Sequence, residues 1–233
     1  MFLQLIIIIM LWYCNYNFIQ PDIEYVRLDT LISENRFKTG DLILFRYNYT
    51  YFAPLVFSYY GHIGIVYVPD KLENSNLSDI TESESINKKN KIPYILEAII
   101  PSEKVTNYYN KNGIYCSPLI ERIRNYKGKC MYKELYNHVN NDTNKEFSKF
   151  IKYCLNNMEY ESNIYYNSIK KGIMGEPINN KINCGELTFL CLIKLKLLNK
   201  NEYKKKIFHY LKWMCNIKYL ENYNYYNKTI RIS

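Results

Sequence analysis

Histidine, glycine and proline are scarce in this chain: three, eight and seven among 233 residues. There is no HExxH sequence and no Cys/His cluster, so the usual signatures of a structural or catalytic zinc site are missing, and no metal or cofactor is expected. Seven cysteines stand at positions 14, 116, 130, 154, 184, 191 and 215. None forms a CxxC pair, and the odd count leaves at least one thiol unpaired. No clustered basic stripe and no named nucleic-acid motif occurs, so a nucleic-acid partner is not expected. No apolar run reaches the roughly 20 residues of a membrane-spanning helix. The longest, Phe2–Tyr13, is broken only by Gln4 and has the length of a signal-peptide core, although no Lys or Arg precedes Arg27. Residues 1–20 therefore read first as a signal peptide, then as an uncleaved anchor, then as a buried element.

What is present is apolar and aromatic. Hydrophobic residues make up 48% of the chain, and 26 tyrosines exceed what a core requires. The dominance of Asn, Lys, Ile and Tyr reflects AT-rich coding and carries no mechanism. Net charge is +9, with its densest run at Lys204–Lys206, read as a solvated helix face. The same balance would suit an anionic membrane surface. Sequons at Asn48, Asn76, Asn141 and Asn227 would permit glycosylation on a secretory or membrane-associated route.

The length fits one domain, residues 21–233. Its pattern predicts a short helix over 24–35, a Thr39-Gly40-Asp41 turn, and strands at 42–46, 62–68, 94–100, 114–120 and 129–135. Residues 48–60 form an aromatic loop. Residues 70–91 contain no aromatic and read as a loosely held insert. Helices follow: one capped at Asp142-Thr143, one over NCGELTFLCLIKLKLL, and one over 202–214. Strands followed by helices suggest an α+β fold.

Three residues carry candidate chemistry. Cys184 stands where a loop meets a helix, so the positive end of the helix dipole favours thiolate and free backbone N–H groups could hold an oxyanion. The plain alternative is a small buried hydrophobe, as Cys191 reads. His62 opens a strand after Gly61 and suits a residue facing a cleft; it could equally be a half-buried structural histidine. Glu97 interrupts the apolar run YILEAII, where a carboxylate must be paired or at an edge. With the insert set aside, 62–68 and 94–100 form an antiparallel hairpin that makes His62 and Glu97 neighbours on one face. The alternative partner for Glu97 is a lysine. Tyr160 could line the cleft. Glu186 reads as a first-turn acid and Asp41 as a turn residue, neither as a catalyst.

Gly40-Asp41-Leu42, Gly61-His62-Ile63-Gly64-Ile65-Val66, Leu96-Glu97-Ala98, Asn112–Leu119 and Cys184-Gly185-Glu186-Leu187 jointly resemble the circularly permuted papain-like hydrolases, over residues 37–198. That family takes in YaeF/YiiX-type proteins and poxviral relatives, with lecithin–retinol acyltransferase more distant and NlpC-type peptidases as unpermuted cousins. The resemblance implies an antiparallel sheet of about five strands packed against helices, with the nucleophile at a helix N-terminus. It implies a thiol hydrolase in which Cys184 attacks, His62 is the base and Glu97 orients it. Apart from the resemblance, Gly61 and Tyr160 are read as contacts for the substrate, expected to be a peptide or a lipid acyl group. A carboxylate at position 97 argues against the acyltransferase branch, which commonly has histidine there. A module that binds lipid or peptide without catalysis is the alternative.

Overall fold

Runs of β-branched and aromatic residues build a seven-stranded sheet in the computed structural model, which describes residues 24–46, 62–69, 92–99, 113–161, 180–198, 226 and 230–233. Its strands are β1 (Glu24–Val26), β2 (Leu42–Arg46), β3 (His62–Tyr67), β4 (Tyr94–Ala98), β5 (Ile114–Pro118), β6 (Lys129–Lys133) and β9 (Ile230–Ile232), in the order β1-β9-β6-β2-β3-β4-β5. A separate parallel pair joins β7 (Glu159–Tyr160) to β8 (Lys181–Ile182). The described helices are α1 (Leu28–Ser33), α2 (Leu119–Arg124), α3 (Asn141–Asn157) and α4 (Cys184–Lys194).

The architecture is α+β, as expected, but the sheet is larger than five strands and is mixed. β1 runs parallel to β9, and every other neighbouring pair in the sheet is antiparallel. The two extra strands are three residues each, too short to show a period of two. β1 also overturns the helix expected over 24–35, which begins only at Leu28.

Helices cover both faces of the sheet, which is why its central strands are apolar on both sides. On one face Leu42, Leu44, Ile63, Ile65 and Leu96 pack with Phe147 and Ile151 of α3 and with Cys184 and Leu187 of α4. On the other, Ile43, Phe45, Val66 and Ile95 pack with Leu28 and Leu31 of α1 and with Leu119 and Ile123 of α2. The sequence pattern does not predict α2. The strand read over 114–120 stops at Pro118, and the helix begins at the next residue. The cap of α3 also moves, from Asp142-Thr143 to Asn140, whose side chain accepts from the Thr143 N–H at 2.8 Å.

The turn into β2 is fixed by two residues. Gly40 has φ +97°, and a Cβ there would stand 2.8 Å from Leu135 Cδ2. Asp41 is fully buried and accepts from Lys38 N (2.7 Å), Leu135 N (2.7 Å) and Tyr132 Oη (2.8 Å). It serves as a turn residue, tying the start of β2 to the end of β6.

Residues 1–20, the aromatic loop 48–60, the insert 70–91 and the helix read over 202–214 lie outside the described residues, as do Gly61 and the sequons at Asn48, Asn76 and Asn227. Asn141 is described, exposed at the start of α3. No described helix is long and apolar enough to cross a membrane.

Candidate active site

The site begins with the register of β3 against β4. Ile65 pairs with Leu96 and Val66 with Ile95, so the register continues to set Gly64 opposite Glu97. His62 is two residues before Gly64 and so shares its face. The diagonal is short enough for contact: His62 Nε2 lies 2.7 Å from Glu97 Oε2. A Cβ on Gly64 would meet Ile95 Cδ1 at 2.6 Å, so the Ile95 side chain fills the space over this glycine.

Glu97 is fully buried, which a carboxylate tolerates only with partners. Besides His62, Arg122 of α2 places Nε 2.6 Å from Oε1 and Nη2 3.2 Å from Oε2. The expected alternative, a lysine, is therefore replaced by an arginine. Burial pushes the Glu97 pKa up, but the hydrogen bond and charge of His62, followed by those of Arg122, bring it below the ordinary value. Phe45, opposite His62 across β2 and β3, packs on the imidazole with centroids 5.4 Å apart, and the Arg122 guanidinium lies 4.6 Å from the same ring.

Cys184 arrives from the other helical layer as the first residue of α4, buried at 7% exposure. Its side chain engages the same imidazole. Burial lowers the His62 pKa, but hydrogen bonds with Cys184 and Glu97, together with the charges of both, lift it to about 9. The ring has two nitrogens and Nε2 is at Glu97, which leaves Nδ1 for the thiol. The three residues singled out in the sequence are thus brought together on one imidazole.

Asn183 sets the helix start. Its Oδ1 accepts from Gly185 N and Glu186 N, each at 3.0 Å, and Glu186 Oε2 accepts from Asn183 N at 3.0 Å. This is a capping box, and it gives Glu186 the structural role read for it. It also narrows one expectation. The Gly185 and Glu186 N–H groups are not free for an oxyanion, because Asn183 holds both. The N–H of Cys184 itself is the donor left at the helix start.

Tyr160 pairs with Ile182 across β7 and β8, and its side chain packs half-buried against the core. Ile182 is two residues before Cys184, so this short pair lies along the segment that leads into α4. His138 stands in the segment before α3, and His209 lies outside the described residues. Burial pushes the thiols of Cys116, Cys130 and Cys154 up to about 12 and that of Cys191 well above its ordinary value. All five are free thiols. Among the described residues, no group of three or more His, Cys, Asp or Glu could hold a metal ion.

Arg122 is the residue that sequence reasoning misses. The run LIERIR carries a signal, an apolar 119/123 pair with charged residues between, but the strand pattern before it hides the helix start.

No family model matches the chain, and no curated protein does. Among solved structures it is similar to one described as the metalloprotein yiiX from Escherichia coli O157:H7, DUF1105. The identity is 15%, the TM-score 0.39, and the match covers 70% of this chain and 68% of that one.

Proposed function

We propose that this chain is a thiol hydrolase of the permuted papain-like kind, cleaving an amide or acyl-ester bond. The observation that carries the reading is a single buried imidazole held by Glu97 at Nε2 and engaged by a helix-N-terminal cysteine. In the first half-reaction His62 takes the Cys184 proton and the sulfur attacks the carbonyl carbon. The oxyanion faces the Cys184 N–H. His62 then gives its proton to the leaving nitrogen or oxygen as the C–N or C–O bond breaks, and an acyl-enzyme remains. In the second, His62 takes a proton from water, the hydroxide attacks the thioester, and the acid leaves as Cys184 regains its proton. Glu97 holds the ring throughout. The acyl donor would be a peptide or a lipid. The basic balance and the apolar run Phe2–Tyr13 support a membrane-borne substrate and a secretory or membrane-associated site of action.

One observation favours a second reading, a non-catalytic module that binds lipid or peptide: Cys184 is only 7% exposed. A small thiol-reactive probe, applied across pH and mapped by mass spectrometry, separates the two. An activated nucleophile gives selective labelling of Cys184 well below the pH range of an ordinary thiol, about 8.5. That labelling is lost in His62→Ala. Labelling spread over several cysteines, or none at Cys184, rejects the hydrolase reading.

A further inference from the structure

We propose that Arg122 is a positioning residue whose guanidinium fork fixes the Glu97 carboxylate and, through it, which nitrogen of His62 carries the proton. The inference rests on the reading of Cys184, His62 and Glu97 as one catalytic group. Two donors of one rigid plane engage the two oxygens of Glu97, Nε at 2.6 Å from Oε1 and Nη2 at 3.2 Å from Oε2. A carboxylate held at both oxygens cannot turn about its last bond without losing both contacts. Oε2 therefore stays 2.7 Å from Nε2 of His62.

The charge matters as much as the geometry. A guanidinium does not give up its proton, so Glu97 remains an anion and an acceptor in a fully buried place. Nε2 must then be the donor, and in the neutral ring the lone pair falls to Nδ1, the nitrogen available to the thiol. Arg122 is held in turn by stacking: its guanidinium carbon lies 4.6 Å from the Phe45 ring centroid and 5.4 Å from that of Tyr126. Phe45 also packs on His62, so one ring steadies both partners of Glu97. Lysine at position 122 would supply the charge but only a point contact.

The test follows the ring nitrogens of His62 by nitrogen-15 NMR on the full chain, through the titration of the ring, in the wild type, Arg122→Lys and Arg122→Gln. In the wild type the neutral ring shows the Nε2–H tautomer alone. Arg122→Gln raises the titration midpoint by about one pH unit, because a cation sharing Oε2 is gone, and it populates both tautomers. Arg122→Lys keeps the midpoint but mixes the tautomers. Wild-type midpoint and tautomer in Arg122→Gln would overturn the proposal. If that variant does not fold, Arg122→Lys decides: a single tautomer overturns the fork's role and a mixture supports it. Probe labelling of Cys184 on the same samples separates the two ideas. A wild-type Cys184 that ignores the probe defeats the nucleophile, while the His62 spectra still decide on Arg122.

Discussion

Glu97 lies opposite Gly64, not opposite His62, and reaches the imidazole along the diagonal with Oε2 2.7 Å from Nε2. The contact therefore depends on the carboxylate's length and charge, and substitution should separate the two. Glu97→Ala leaves Arg122 and His62 without their shared anion, and breaking a buried pair in this way costs about 3–5 kcal/mol. Urea unfolding should register that loss. Glu97→Gln keeps the shape and removes the charge. The midpoint of His62 should fall from its raised position, and Cys184 labelling should slow by about tenfold or more. An unchanged His62 midpoint in Glu97→Gln would mean that the carboxylate does not govern the ring.

The ionised groups give stability a pH dependence with a definite sign. His62 is raised from 6.5 to about 9 in the fold, so its contribution is full below 6.5 and is lost as pH rises through 9. Asp41 is raised from 3.8 to about 7, because burial outweighs its three donors, so its contribution is full below 3.8 and is lost as pH rises through 7. Glu97 is lowered from 4.5, so its contribution is present above 4.5 and is lost as pH falls through its lower folded value. Together these place the stability maximum on the acid side of neutrality. Denaturant midpoints measured against pH check this. Asp41→Asn should flatten the decline between 3.8 and about 7 and leave the alkaline decline of His62. Stability that rises steadily from acid to alkaline pH would contradict the assignment.

Much of this arrangement is legible because the decisive residues break a pattern. Glu97 is charged within YILEAII, His62 begins an apolar strand, and Cys184 stands at a loop-to-helix boundary; each anomaly asks for a partner. The hairpin that joins the first two follows from period-two strands on either side of the insert, and the structure pairs them antiparallel. What escapes a reading of the sequence is what depends on distant contact. β9 is three residues of IRI, a strand only because β1 and β6 flank it. Arg122 is one basic residue among many, and only the packing of Leu119 and Ile123 on the sheet turns it toward Glu97. The free N–H groups expected at the start of α4 are only partly there, because Asn183 reads as an ordinary loop residue until its side chain is seen over Gly185 and Glu186.

Asn183 gives the last prediction, since it acts on the helix start and on the charge beside Cys184 at once. It is 1% exposed, and its Oδ1 satisfies two first-turn N–H groups. Asn183→Ala removes the cap and leaves two buried donors unpaired, a loss of about 1–3 kcal/mol in urea unfolding. Asn183→Asp keeps an acceptor in the same place and should retain most of that stability, since a carboxylate suits a helix N-terminus. Its negative charge, however, sits one residue from the sulfur and opposes the anion that attacks. Cys184 labelling should therefore slow in Asn183→Asp by about tenfold while the fold holds. The two variants thus move stability and reactivity in different proportions. If Asn183→Asp labels as fast as the wild type, the field at the start of α4 does not set the reactivity of Cys184, and the imidazole alone must account for it.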